Sequence, residues 1–265
     1  MEFPLDGAAQ APAAFTILSL GFFLGLKHAL DADHLVAIST IVSERKGLFS
    51  SSVVGVLWGI GHTAALLIVG WIVLALNLHI PDKLALALEF LVALMIIGLG
   101  SKVLWNLYRG GTVHMHAHSH DGHIHVHPHV HSVEQVHEHG REEAHSHNTF
   151  SKIWWGNAVV RGIVNGKRSV FIGLMHGMAG SAAVMLVVLA TIKSTALGMM
   201  YIAVFGAGSI AGMLIMSMLI SVPFVVTATR LHRLNAVVRG VSGVVSVAFG
   251  IFLAWEIGIT EGLFF

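Results

Sequence analysis

The chain has 265 residues, of which 55% are hydrophobic and only 11% are charged. A soluble domain of this length needs more charge to cover its surface, so the composition excludes a protein whose main solvent is water. The formal net charge of +1 comes from basic residues spread among several loops, which argues against a nucleic-acid partner. Cysteine is absent, so a metal site would need histidine, carboxylate, methionine or backbone ligands.

Six apolar segments approach or exceed the length of about 20 residues that a helix needs to cross a bilayer. They cover 14–40, 52–77, 84–108, 169–192, 196–222 and 236–257. The sequence therefore predicts an all-α membrane protein of about six transmembrane helices. We expect an N-terminal three-helix unit over 1–108, a polar loop over 109–168 and a C-terminal three-helix unit over 169–265.

Basic residues are concentrated in alternate loops. The first, third and fifth loops hold Arg45, Lys46, Arg109, Arg141, Lys152, Arg161, Lys167, Arg168, Arg230 and Arg233. The second and fourth loops hold only Lys83 and Lys193. Because cytoplasmic loops are enriched in Lys and Arg, we expect a multi-pass protein of the cell membrane with both termini outside and the polar loop in the cytoplasm.

The two three-helix units resemble each other in order and spacing. The corresponding pairs are Gly25 and Gly173, His28 and His176, Gly59 and Gly206, Gly61 and Gly208, Gly100 and Gly250, and Trp105 and Trp255, at offsets of 147 to 150 residues. A three-helix unit crosses the membrane an odd number of times, so its second copy must be inverted. Inverted repeats are typical of secondary transporters, which hold their substrate near the midplane between the repeats.

Four ionisable residues lie within seven positions of the first apolar segment: His28, Asp31, Asp33 and His34. A charge at the centre of a transmembrane helix costs about 2.5–3.5 kcal/mol on insertion scales, so such groups must face one another, water or an ion. On a regular helix His28, Asp31 and His34 share one stripe, whereas Asp33 projects about 140° away from His28. A distorted helix would let all four converge, and the sequence leaves this open.

Two histidines from other segments are candidates for the same site. His62 lies in the second segment, and His176 occupies the position equivalent to His28 in the second unit. Imidazoles with few carboxylates suit nickel, cobalt, copper or zinc, whereas magnesium and calcium prefer oxygen ligands. We therefore predict an intramembrane metal site that is formed by His28, Asp31, Asp33, His34, His62 and His176.

Glu89 is a further carboxylate, within the third apolar segment. It either pairs with Lys83 on the outer side of the membrane or lines an access path for an ion. The sequence favours the pairing, since the two residues lie near the same end of the segment.

Residues 25–34, which read GLKHALDADH, resemble the signature of the nickel/cobalt transporter (NiCoT) family: a His, four further residues and then Asp-His in one membrane helix. The Gly-His-Thr at 61–63 resembles the second motif of that family. The family's Phe-Asp-x-x-Thr-Glu type of motif has no match in the second unit. With six segments, the chain is closer to the urease-linked nickel permeases than to the eight-span members.

The resemblance implies uptake of Ni²⁺, or of Co²⁺, as a transported substrate, with no organic cofactor and no enzymatic activity. It implies that His28, Asp33 and His34 are essential and that His62 is a supporting ligand. Beyond the lipid bilayer, the implied partners are a cytoplasmic metallochaperone or the maturation proteins of urease or hydrogenase.

The polar loop holds 13 of the 19 histidines. The candidate metal-buffering residues are His114, His116, His118, His120, His123, His125, His127, His129 and His131. Their alternation could indicate a strand, but without an evident partner strand the sequence favours a disordered tract of weak, overlapping metal sites. A histidine-rich linker without a role in metal binding is the alternative.

Two other functions remain open. One is metal efflux, because exporters of the same superfamily also carry histidine-rich cytoplasmic loops. The other is an intramembrane hydrolase whose zinc is bound by the His/Asp cluster and activates water. The phosphate-binding Gly-x-x-x-x-Gly-Lys-Ser/Thr signature is absent from the sequence, so we expect a secondary transporter rather than a nucleotide-driven one.

Overall fold

The computed structural model describes residues 6–45, 47–76, 81–109, 114–120, 123–129, 154–179 and 194–265. The helices are α1 (Asp6–His28), α2 (Ala32–Ser43), α3 (Leu48–Leu76), α4 (Asp82–Tyr108), α5 (Trp154–Met178), α6 (Thr195–Arg230) and α7 (His232–Trp255). A single π-helical turn, Glu256–Thr260, follows α7. Two strands, β1 (His114–His120) and β2 (His123–His129), form the only sheet within these ranges.

Four of the described helices are long and apolar enough to cross a membrane, and α1 with α2 makes a fifth if the bent pair is one span. This confirms the predicted helical architecture and is compatible with a multi-pass membrane protein. The predicted fourth span, 169–192, falls largely outside the described residues, so the number six stays a prediction. The helix α6 continues through Pro223 to Arg230, beyond the predicted end of its segment at residue 222.

The first apolar segment is broken immediately after His28. Residues 29–31 form a turn, and the axes of the flanking helices differ by 54°. Asp31 has an extended backbone and precedes the first residue of α2, the position where Asp commonly caps a helix. Its side chain makes no capping bond and contacts His28 instead. Because of the break, His28, Asp31 and His34 do not share the single stripe that a regular helix would give them.

Contacts between the two halves of the chain form the centre of the fold. Helix α3 packs against both α5 and α6, α1 packs against α6, and α4 packs against α7. The core at this junction contains Trp58, Ile96 and Met213, all fully buried. The short helix α2 contacts α6 and α7, so the residues after the break lie against the second half of the chain.

Glycines allow these helices to approach to backbone contact. A Cβ on Gly25 would meet the backbone oxygen of Phe205, and a Cβ on Gly173 would meet the backbone oxygen of Trp58. Gly25 and Gly173 are 148 residues apart, and Trp58 and Phe205 are 147 apart. The second contact therefore repeats the first with the two halves of the chain exchanged.

A second pair of contacts also recurs with the two halves of the chain exchanged. A Cβ on Gly61 would meet the backbone oxygen of Val170, and a Cβ on Gly208 would meet the backbone oxygen of Phe22. These residues are related by the same offsets of 147 and 148. Small residues at such positions are what membrane helices use for close packing.

The histidine-rich run contains an antiparallel hairpin. Its register pairs His114 with His129, His116 with His127, His118 with His125 and His120 with His123. The expectation that this run lacks a partner strand is wrong over 114–129, because the second half of the run supplies the partner. His131 lies outside the described residues.

Replacement of Gly25 by Ala is expected to destabilise the protein, because the added methyl group would collide with the backbone of α6. Overpacking of this kind costs about 1–3 kcal/mol. The change should lower the midpoint of thermal unfolding in detergent. Gly98→Ala is the matched control, since a Cβ there meets nothing within 4 Å. Equal midpoints for the two variants would contradict the close contact.

Candidate metal centre

Four histidines from four helices meet at the junction of the two halves. The ring of His34 in α2 lies 4.5 Å from that of His28 in α1 and 4.2 Å from that of His176 in α5, centre to centre. The ring of His62 in α3 lies 5.2 Å from His28 and 5.4 Å from His34. All four side chains are buried, and His34 and His62 are fully so. The sequence predicted that these residues share one site, and the structure brings them together.

Most of the imidazole nitrogens in this cluster lack a hydrogen-bond partner. Among the described residues, such buried nitrogens include Nε2 of His28, Nδ1 of His176, and both ring nitrogens of His34 and of His62. A buried polar atom without a partner costs about 1–3 kcal/mol, so six of them are a substantial burden on the fold. In a neutral imidazole one ring nitrogen carries a hydrogen and the other a lone pair, so a bound cation would satisfy one nitrogen of each ring. The cluster is therefore chemically suited to a metal ion.

Asp33 links the cluster to the second half of the chain. Its Oδ2 lies 2.8 Å from Nε2 of His176, and its Oδ1 accepts a hydrogen bond from the backbone N–H of His34 at 2.9 Å. On a regular helix Asp33 would project away from His28, and the sequence left open whether the helix is distorted. The break at residues 29–31 is such a distortion, and Asp33 lies against the imidazole of His176.

Asp31 has a different position from Asp33. Its Oδ2 lies 2.7 Å from Nδ1 of His28, and 49% of its side chain is exposed. By holding Nδ1, this carboxylate leaves Nε2 of His28 as the nitrogen available to a metal, in the manner of carboxylates that orient metal-binding imidazoles. The regular helix predicted Asp31 on the ligand stripe, but in the structure it contacts the cluster through His28.

Two groups of potential ligands overlap at His34. The ligand atoms of His28, His34 and His62 all lie within 4.8 Å of one another, and so do those of Asp33, His34 and His176. One group offers nitrogen alone, and the other adds a carboxylate oxygen. Borderline divalent metals such as nickel, cobalt and zinc accept both kinds of ligand.

Two aromatic residues that the sequence analysis did not select line the cluster. The ring of Trp58 lies 5.6 Å from His34 and 5.7 Å from His176, and the ring of Phe205 lies 5.5 Å from His28. Trp58 and Phe205 are separated by the repeat offset of 147 residues. That offset, together with their position four residues before His62 and Ser209, was the signal that could have identified them.

The fold and the cluster define a class: a helical protein with four or five membrane-length apolar helices around a buried His/Asp centre. The chain is 37% identical over 249 residues to the urease accessory protein UreH of Bacillus sp. (strain TB-90). The match covers 94% of this chain and 95% of the relative, so the chain belongs to the UreH family. No protein-family model matches the chain, and no solved structure matches it.

His34→Ala is expected to weaken nickel binding by the purified protein roughly tenfold or more, because His34 belongs to both groups of ligands. Quenching of Trp58 fluorescence is a suitable measurement, since its ring is 5.6 Å from His34. The part of the fluorescence quenching that is lost in Trp58→Phe arises at the candidate metal centre. Lys27→Gln, an exposed neighbour of His28, is the control and should bind as wild type does. Unchanged affinity in His34→Ala would contradict a metal site here.

Proposed function

We propose that this protein carries a divalent transition-metal cation, Ni²⁺ in the first place and Co²⁺ in the second, inward across the cell membrane. The observation that carries the proposal is the group of buried imidazole nitrogens without partners where the two halves of the chain meet. The ligands come from four helices, α1, α2, α3 and α5. Relative movement of these helices would therefore change how tightly an ion is bound. A transporter needs such a site, which binds the ion and then releases it.

The charges around the centre suit a divalent ion. Asp31 and Asp33 contact His28 and His176, and together they would balance the two positive charges of the metal. Buried charge is tolerated when it is paired, so a neutral assembly could form within the membrane at moderate cost. The imidazoles would supply neutral donors without adding charge.

The choice of nickel rests on the motif and on the relative. The centre alone would accept zinc as well, because both metals bind imidazole and carboxylate. The His-x-x-x-x-Asp-His pattern at 28–34 resembles the nickel/cobalt transporter signature. The relative is named as a urease accessory protein, and urease is a nickel enzyme. Delivery toward urease maturation, directly or through a cytoplasmic metallochaperone, is the role that we propose.

Two inverted three-helix units would provide the transport movement. The contacts of Gly25 and Gly173, and of Gly61 and Gly208, recur with the halves exchanged, and they support this arrangement. In such proteins one unit rocks against the other around a site near the midplane. The four histidines lie where these contacts meet.

The charge of the ion supports inward transport. A membrane potential of 100 mV, negative inside, would favour inward movement of a divalent cation by about 4.6 kcal/mol. With the basic loops in the cytoplasm, as the sequence predicts, the histidine-rich hairpin would lie on the cytoplasmic side. We propose that it receives the ion after release, since many neighbouring imidazoles can hold metal weakly and pass it on.

Proteoliposomes that contain the purified protein should accumulate nickel when the interior is negative. His34→Ala should reduce accumulation to the level of empty liposomes, whereas Lys27→Gln should transport as wild type does. The measurement is uptake of ⁶³Ni²⁺ with valinomycin and a potassium gradient. Absence of flux from the wild type, or full flux in His34→Ala, would refute the proposal. Peptide hydrolysis without flux would favour the hydrolase, and export alone would favour efflux.

Deletion of residues 114–147 should lower the total nickel retained by cells without abolishing flux into proteoliposomes. The matched variant replaces the nine candidate loop histidines by Thr, a residue that is compatible with strands. If nickel retention depends on the imidazoles rather than on the length of the loop, the two variants should retain similarly reduced amounts of nickel. Complete loss of flux in both would instead place the loop within the transport pathway.

A further inference from the structure

A cavity of about 290 Å³ reaches the edge of the metal centre. Its lining includes Asp33, Glu89 and His176. A water molecule occupies about 30 Å³ in the liquid, so the cavity has room for a hydrated ion. Of the six predicted ligands, Asp33 and His176 line the cavity, and the other four do not. This cavity therefore gives access to the centre from the Asp33–His176 side.

Glu89 brings a carboxylate into this cavity from α4. Among the residues that the structure describes, no basic side chain lies within ion-pair distance of it. The predicted pairing with Lys83 is wrong here, because the Lys83 ammonium donates instead to the backbone oxygen of Phe265 at 3.4 Å. Glu89 therefore lines the same cavity as the carboxylate of Asp33 and, among the described residues, has no basic side chain to pair with.

The histidine that shares this cavity also points to a ligand. His176 is only 1% exposed, and its Nδ1 has no hydrogen-bond partner. The other titratable residues of the lining are Asp33 and Glu89, and the lining as described contains neither Lys nor Arg. The described lining therefore carries acidic side chains together with an imidazole that has one unpartnered nitrogen, a set of groups that suits a cation.

A second cavity has the opposite charge. It is lined by residues that include Arg45, Lys102, Lys167 and Arg168, and its carboxylate, Glu44, already pairs with Lys102 at 3.0 Å. Glu89 lies near the N-terminal end of α4, whereas Lys102 lies near the C-terminal end. The two cavities therefore lie toward opposite ends of that helix. Arg45, Lys167 and Arg168 of the second cavity belong to loops that are predicted to be cytoplasmic, so on that prediction the first cavity faces the outer side.

We propose that Glu89 is the residue that captures the cation on the outer side and passes it to Asp33 and His176. This inference rests on the proposed transport function and adds a binding step before the histidine centre. Clefts lined by one sign of charge raise the local concentration of counter-ions tenfold or more. Loss of this charge should therefore affect transport most strongly at low nickel concentration.

The first test compares carboxylate variants on the same helix. Glu89→Gln should raise the nickel concentration for half-maximal uptake roughly three- to tenfold, with a nearly unchanged maximal rate and unchanged equilibrium binding by Trp58 quenching. Glu89→Asp should recover most of the loss. Asp82→Asn removes an exposed carboxylate of α4 outside the cavity and should change the half-maximal concentration less than twofold. Equal values for Glu89→Gln and wild type would overturn the proposal.

The second test uses the natural absence of cysteine. In Glu89→Cys, the single thiol is treated from the outside with methanethiosulfonate reagents that attach either a sulfonatoethyl or a trimethylammonioethyl group. The anionic group should restore low-concentration uptake and the cationic group should depress it further. Wild type treated in the same way controls for non-specific effects. Equal effects of the two reagents, or no labelling from outside, would overturn the proposal.

The proposed transport function and the proposed capture step are refuted by different results. If the wild type shows no nickel flux, the proposed transport function fails and the role of Glu89 fails with it. If flux depends on His34 but not on the charge at position 89, the transport function stands and only the capture step is refuted.

Discussion

The carboxylate of Asp33 joins the two halves of the protein at the candidate metal centre, through His34 on one side and His176 on the other. This position exists because α1 ends at His28 and α2 begins at Ala32 in a new direction. In a continuous helix, Asp33 would point away from His28. The cluster of four imidazoles, its carboxylate and the cavity that reaches them all depend on this break.

The frame around the centre is more symmetric than the centre itself. The glycine contacts are exchanged between the halves, and His28 corresponds to His176. His62, however, corresponds to Ser209, and no carboxylate stands at 179 or 181, the positions equivalent to Asp31 and Asp33. Under the proposed function, a symmetric frame would offer two related arrangements of the helices, while five of the six candidate ligands come from the first half of the chain. The proposed transport cycle uses both properties.

Charge is distributed unequally along the proposed path. The cavity on the Glu89 side contains carboxylates and a histidine, whereas the cavity at the other end is lined mainly by basic residues. The four imidazoles of the candidate centre would hold a metal through lone pairs rather than through net charge. In the proposed path a cation would thus be attracted on the Glu89 side, bound by the imidazoles and repelled from remaining among the basic residues. This order of charges favours movement of the ion through the protein over its retention at one site.

Several features were determined by the sequence alone because they depend on local composition and spacing. The apolar segments, the repeat offset near 148 residues and the convergence of His28, His34, His62 and His176 could all be read without a structure. These properties hold for almost any packing that keeps ionisable groups away from lipid. The metal-binding role itself remains a prediction at this level.

Other features were decided only by the tertiary structure. Spacing in the sequence does not place Asp33 beside His176, nor does it pair the two histidine strands. It also does not separate Glu89 from Lys83, whose ammonium group contacts Phe265 instead. Residues 29–31 contain neither Gly nor Pro, so their local sequence does not by itself require a turn. In the structure α2 packs against α6 and α7 in its new direction, and this packing places Asp33 beside His176 in the candidate metal centre.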